Sequence, residues 1–418
     1  MSVIKFPNGV KLDVCEMPEL NTATICVNLL GGIQGEPPLY NGMCEMISRL
    51  LLCGTLQHSS PADINQYAKL NGFNLSITAD IEFLMIKVVC LKTKVKEAID
   101  FVADIMFHSS FSDEYINIVK TQMKAEAQIN KMNLSQYLDQ LTNQSMFART
   151  GLTNSRCGSP KSIERITRRK LLEQYSRFIS PKNISIAVCG AVDSAEITDC
   201  IGTYFYTTLN INAFRQIKFV APVNNKDGFV NIKNRKLNQS RINIAFPSFS
   251  YTSKERYMLD ILVKLIETKI KASLINENYF KSITVENIVY ANNGKLVFTI
   301  LVDKDYAEIF IERILFAIAN LKQGNITNTE FNAEKQAFIT NFVLTYESEE
   351  KMAELSAKEL SIKKKSFDLQ EIFDLLVSIN KNESLEALQQ VLDFKKINIA
   401  YLGEPVTLEF LGKFLIEH

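Results

Sequence analysis

Two charged residues of this chain are spaced so that they could meet. Glu45 and Arg49 lie four apart. On a helix, a carboxylate four positions before an arginine is its neighbour. Carboxylates can bind a metal ion, take up a proton or accept from a guanidinium. Arginine stays charged at any working pH, so Arg49 can serve neither as metal ligand nor as general base. Ser48, between them, cannot accept a proton from water at neutral pH. Taken alone, Glu45 and Arg49 read as a solvated surface pair worth a few tenths of a kcal/mol, about 0.3–0.5.

Other reactive residues form no pattern. The histidines, His58, His108 and His418, are too scattered to suggest a metal cluster or a catalytic dyad. The eight cysteines stand at 15, 26, 44, 53, 90, 157, 189 and 200, with no C-x-x-C pair. Most lie in apolar segments, which predicts buried, reduced thiols in a reducing compartment. Cys44 and Cys53 bracket the Glu45 segment but fall on different helix faces, so they predict no substitute metal site. There is no G-x-S-x-G elbow, P-loop, G-x-G-x-x-G or EF-hand loop.

The elements that would position these groups can be read from periodicity. In GMCEMISRLLLCGT (42–55), Met43, Met46, Ile47, Leu50 and Leu51 make an apolar helical stripe, with Glu45, Ser48 and Arg49 off it. Ile116, Val119, Met123 and Glu126 share one stripe of a second helix, expected over 112–132. A glutamate continuing an apolar face needs a partner. The expectation is that Arg49 bridges Glu45 and Glu126. Ser60-Pro61 predicts a helix start and Gly72 its end. Strands are expected at 3–6, 10–14, 21–30, 73–79, 82–90 and 184–188, with helices over 94–107, 134–147, 162–179 and 195–206.

The chain's 418 residues exceed one hydrophobic core, and 46% apolar with 22% charged residues describes a folded, soluble protein. A net charge of +1 gives no general attraction to nucleic acid or anionic membrane. No apolar run is long enough for a spanning helix, and the amino terminus lacks a targeting pattern. The expected compartment is the cytoplasm, or the mitochondrion had a presequence been removed. KNISIAVCG (182–190) aligns without gaps on KKINIAYLG (395–403), at an offset of 213. Such an offset implies a duplicated domain, not a solenoid. The predicted fold is α+β, two tandem homologous domains, each a mostly antiparallel sheet packed with helices. The boundaries are 1–209 and 228–418, with a linker at 210–227.

With these landmarks in order, the chain resembles the pitrilysin/insulinase family of zinc metallopeptidases, specifically the two-domain subunits of the processing-peptidase kind. FPNGVKL resembles the opening "LPNG" strand. TICVNLLGG and EPPLYNGMCEMISRLLLCGT resemble the strand, glycine turn and "G-L-A-H-x-x-E-H-x-x-F-x-G-T" helix. RCGSPKSIERITRRKLLEQYSRFISPKNISIAVCGAVD resembles the segment closing the first domain.

The resemblance implies a zinc site whose H-x-x-E-H positions are here Glu45, Ser48 and Arg49. Both imidazoles and the general base are replaced, whereas the family's third ligand, a glutamate, is kept as Glu126. It also implies that some subunits carry an Arg and a Tyr seven residues apart that contact substrate. Those positions fall on Asn276 and Ile283, and Tyr279 nearby has no arginine partner. Substrate peptides in the family add as a strand to a sheet edge, here matched by Asn74, Leu75, Ser76, Ile77, Thr78 and Ala79. The expectation is a catalytically inactive homologue without metal or other cofactor. It would be the non-catalytic subunit beside a homologous subunit with an intact zinc motif, or a homodimer, with a peptide as the substrate contacted. The alternative is a structural scaffold or a peptide-binding protein that does not cleave.

Overall fold

The computed structural model describes residues 3–130, 133–206, 216–223, 229–234, 236–274 and 280–407. They form two compact units, each an α+β assembly on one sheet. The first sheet comprises β1 (Ile4–Lys5), β2 (Lys11–Glu16), β3 (Thr22–Leu30), β4 (Asn74–Ala79), β5 (Phe83–Leu91) and β6 (Ile184–Gly190), in the order β1-β2-β6-β3-β5-β4. The second comprises β7 (Phe229–Asn234), β8 (Gln239–Pro247), β9 (Phe280–Val289), β10 (Gly294–Asp303) and β11 (Asn398–Gly403), in the order β7-β11-β8-β10-β9. Each sheet has one parallel pair, β2–β6 and β7–β11, and is otherwise antiparallel. The two segments aligned at the offset of 213 thus become β6 and β11, in the same setting of their sheets. Every residue of both is buried, which is why they read as continuous apolar runs.

The helices in chain order are α1 (Met43–Leu50), α2 (Pro61–Asn71), α3 (Val95–His108), α4 (Asp113–Asn130), α5 (Leu134–Met146), α6 (Pro160–Arg165), α7 (Arg168–Phe178), α8 (Ser194–Ile201), α9 (Glu255–Leu274), α10 (Ala307–Lys322), α11 (Asn328–Tyr346), α12 (Glu349–Ile362), α13 (Leu369–Ser378) and α14 (Lys381–Val391). Local chemistry sets several ends. Ser60 Oγ accepts from Asp63 N at the start of α2, Pro61 takes the first helical position, and Gly72 closes the helix at φ 70°. The single helix expected over 162–179 is instead two. Ser159 and Ser162 form a capping box on α6, Ile166 turns extended, and Thr167 caps α7.

The compact units are not contiguous stretches. The first takes in Met1–Ile129, Asn154–Phe219 and Leu344–Leu369, the second Asn130–Thr153, Val220–Val343 and Gln370–His418. In the first, α12 lies across β2, β3 and β6. Lys87 meets Glu350 and Glu354 of α12, the latter at 2.6 Å, and Asp13 accepts from Ser356 at 2.5 Å. In the second, α5 lies across β8 and β11. There Asn243 donates to Asp139 and Thr142, and Lys295 donates to Asn143 at 2.7 Å. Both sheets are therefore covered on one face by a helix from the other half of the sequence. The compact units do not follow a division at 1–209 and 228–418, because each takes in one helix from the other half of the sequence. Most of the 210–227 segment lies outside the described residues.

Candidate functional site

Helix α1 is set by its stripe and by its first turn. Met43, Met46, Ile47, Leu50 and Leu51 are all buried in the first unit's core. Gly42 precedes the helix at φ 104°, and a side chain there would press on the Cys157 carbonyl. The buried carboxylate of Glu36 accepts from Gly42 N at 2.7 Å, Cys44 N at 2.5 Å and Asn41 Nδ2 at 2.7 Å. It thus supplies the acceptor that a helix start requires. Burial nonetheless pushes the Glu36 carboxyl up to about 7, against those hydrogen bonds.

Glu45 and Ser48 are buried, so the surface-pair reading of this helix does not hold. Ser48 Oγ donates to the Glu45 carbonyl at 2.8 Å. Arg49 sits between two carboxylates. Its Nε and Nη2 donate to Glu45 Oε1 at 2.9 and 2.8 Å. Its Nη1 and Nη2 form a bidentate pair with Glu126 Oε1 and Oε2, at 2.8 and 2.7 Å. α4 brings Glu126 there by burying Ile116, Val119 and Met123 along the same stripe. The Glu126 carboxylate, with Glu45 beside it, raises the Arg49 pKa, and Arg49 in turn holds the Glu126 carboxyl below its usual range.

A fourth group was not anticipated. Arg156, in the loop before α6, donates from Nε to Glu45 Oε2 at 3.0 Å. Both oxygens of Glu45 are thereby engaged by guanidinium groups. No local pattern in the sequence marks an arginine 111 residues away as its partner.

This donor set does not fit zinc. The position between the two carboxylates is filled by a permanent cation, and every oxygen of the two carboxylates accepts from Arg49 or Arg156. Ser48 faces a backbone carbonyl. The flanking cysteines do not alter this. Cys44 is wholly buried, with burial pushing its thiol up, and Cys53 Sγ meets the Arg49 carbonyl at 3.3 Å. Among the described residues, no group of three or more His, Cys, Asp or Glu is arranged to hold a metal.

Asn74–Ala79 forms β4, the terminal strand of the first sheet. It pairs with β5 on one side and with no other strand among the described residues, and α1 packs against it. Asn74 is exposed, Leu75 to Thr78 are half-buried and Ala79 is buried. Ile283 pairs with Ile300 within β9–β10 and is fully buried, so its side chain faces core, not a substrate. Asn276 and Tyr279 lie outside the described residues. No helix among the described residues is long and apolar enough to cross a membrane.

Comparison with known proteins gives a consistent result. The pattern described as "Insulinase (Peptidase family M16)" matches residues 16–159, and that described as "Peptidase M16 inactive domain" matches 165–338. Over 97% of this chain and 91% of its own length, the mitochondrial-processing peptidase subunit beta of Saccharomyces cerevisiae is 20% identical. A non-peptidase homolog from Helicobacter pylori is 27% identical over 36% of this chain and 34% of its own. The chain spans about half the length of other curated relatives it matches, 56% of one and 40% of another. The crystal structure of a peptidase M16 inactive domain from Pseudomonas fluorescens superposes with a TM-score of 0.87. That match covers 97% of this chain and 98% of the other at 13% identity, a likeness of fold.

Proposed function

The chain belongs to the insulinase family of peptidases, and from that premise we propose that it is a catalytically inactive member. Its role is that of the non-catalytic subunit beside a homologous chain that carries an intact zinc helix. The observation that carries this reading is the Arg49 guanidinium, held bidentate by Glu126 and by two hydrogen bonds to one oxygen of Glu45. At the positions where the family places two imidazoles and a general base, this chain has Glu45, Arg49 and Ser48. No group there can activate a water for attack on a peptide bond. The zinc site is replaced by an ion-pair lattice, in which Arg49 supplies positive charge between carboxylates that would otherwise repel.

Peptide contact survives the loss of chemistry in this reading. β4 offers backbone donors and acceptors along an edge that no strand among the described residues pairs with, and an extended peptide can add there with little demand on its sequence. The subunit's part is to hold peptide backbone while the partner hydrolyses it.

The test is purification at native expression followed by mass spectrometry, metal analysis and peptide titration. The expected result is a co-purifying homologue with an intact H-x-x-E-H helix, with peptide bound but not cut by this chain alone. Stoichiometric zinc with chelator-sensitive proteolysis by the isolated chain would overturn the reading. Co-purification with a membrane complex, without peptide affinity, would replace it with a scaffolding role.

A further inference from the structure

Outside the ion-pair site, the first sheet brings two thiols face to face. Cys15 of β2 and Cys189 of β6 are direct partners in the parallel register, and both are free. Directly paired residues of neighbouring strands share a face, with backbones about 4.8 Å apart. That lies within the range of Cα separations, about 4.4–6.8 Å, that a disulfide spans without moving the backbone. From this juxtaposition we infer that Cys15 and Cys189 are a redox pair, converted by a hydroperoxide into a reversible disulfide that staples β2 to β6.

The two sulfurs are not equivalent, and the difference sets the order of events. Cys15 is the penultimate residue of β2. β1 pairs only with Lys11 and Leu12, so the end of β2 has no strand outside it among the described residues. Cys15 keeps 6% of its surface accessible, against none for Cys189. The neighbouring Cys189 thiol lowers the pKa of Cys15, whereas Cys15 and burial raise the pKa of Cys189. Cys15 is therefore the attacking group and Cys189 the resolving one.

The chemistry balances without any group from the protein beyond these two. The Cys15 thiolate attacks one oxygen of hydrogen peroxide, giving Cys15 sulfenic acid and hydroxide. The Cys189 sulfur then displaces the sulfenic hydroxyl, forming the S–S bond and releasing water as its own proton leaves. Two thiols are oxidised by two electrons and the peroxide is reduced to water. Thr24 of β3 faces Cys189 in the adjoining register, and its buried hydroxyl has no hydrogen-bond partner among the described residues. It stands ready to donate to the Cys189 sulfur as the thiol gives up its proton.

The full chain, treated with a small excess of hydrogen peroxide, quenched, unfolded and alkylated, tests this by peptide mass mapping. The expected product is one cross-linked pair, Cys15 to Cys189, lighter by two hydrogens, accompanied by a melting temperature a few degrees higher. Dithiothreitol should reverse both changes. In Cys189→Ala, Cys15 should stop at the sulfenic or sulfinic acid, and in Cys15→Ser the bond and the thermal shift should both be lost. Those two variants, checked for an unchanged reduced-state melting temperature, separate the redox role from a packing role. Recovery of both residues as free alkylated thiols after oxidation of the wild-type chain would overturn the inference. So would the same thermal shift in Cys15→Ser.

Discussion

Arg49 bridges two carboxylates of unequal burial, and the asymmetry predicts what its loss would do. The Glu45 side chain is 8% exposed and that of Glu126 is 43% exposed. Removing one partner of a fully buried pair costs about 3–5 kcal/mol, but exposed pairs contribute about 1 kcal/mol or less. Arg49→Met should therefore cost about 2 kcal/mol in urea unfolding at pH 7, between those limits. Adding Glu126→Gln should recover part of that loss, since one uncompensated charge disappears with it. The pH dependence has a definite sign. Glu126 has a folded pKa below its ordinary 4.5, so its pairing stabilises fully above that value and is lost as pH falls through the folded one. The wild type and Arg49→Met should converge in stability as pH falls through the folded pKa of Glu126, which lies below its ordinary 4.5. Parallel curves would show that the bridge contributes nothing. A reverse experiment addresses the site's history. Glu45→His, Ser48→Glu and Arg49→His together, with Glu126 retained, should bind one zinc per chain by metal analysis, and the wild type should bind none. A triple variant that folds but takes up no zinc would sink the assignment of these positions.

At the scale of elements, α1 depends on Glu36 rather than on a residue at its own first turn. The raised pKa means that the contribution of Glu36 to stability is full below its ordinary 4.5 and declines as pH rises through about 7. Glu36→Gln cannot ionise. From pH 5 to pH 8 the stability difference should therefore move in the variant's favour, by about 1–3 kcal/mol. A difference independent of pH would show that the three donors offset the burial. β4 carries the other element-level prediction. A peptide added to its edge uses alternate N–H groups, because successive residues of a strand point their backbone groups in opposite directions. Methylating the peptide nitrogens at every second residue should abolish binding in one phase and spare it in the other. Equal tolerance of both phases would rule out strand addition.

At the scale of the whole molecule, the exchange of α5 and α12 decides what can fold alone. A fragment of residues 1–209 contains the first sheet but not α12, which covers β2, β3 and β6 and supplies the carboxylates for Lys87. It should retain far-ultraviolet helix signal but lack near-ultraviolet tertiary signal and a cooperative melt, and co-expression with 210–418 should restore both. A cooperative melt by the fragment alone would refute this. That exchange also marks the limit of reading by sequence. The stripe of α1, the Ser60 and Gly72 ends of α2, the strand at Asn74–Ala79 and the repeat that becomes β6 and β11 were all determined by the sequence itself. Such features depend on periodicity and on hydrogen bonds within a few residues. Even the approach of Glu126 to Arg49 was legible, because a carboxylate on an apolar stripe needs a counter-charge and the family spacing supplied the candidate. The break at Ile166 was not, because two adjoining capping signals compete with one continuous apolar period. Only the tertiary structure decided that Arg156 takes the second oxygen of Glu45, that Glu36 caps α1, and that α12 covers the first sheet. Each of those depends on where folding delivers a side chain or a helix from a distant or unpatterned segment. Burial then fixes how strongly the charges act, and burial is a property of the packed molecule.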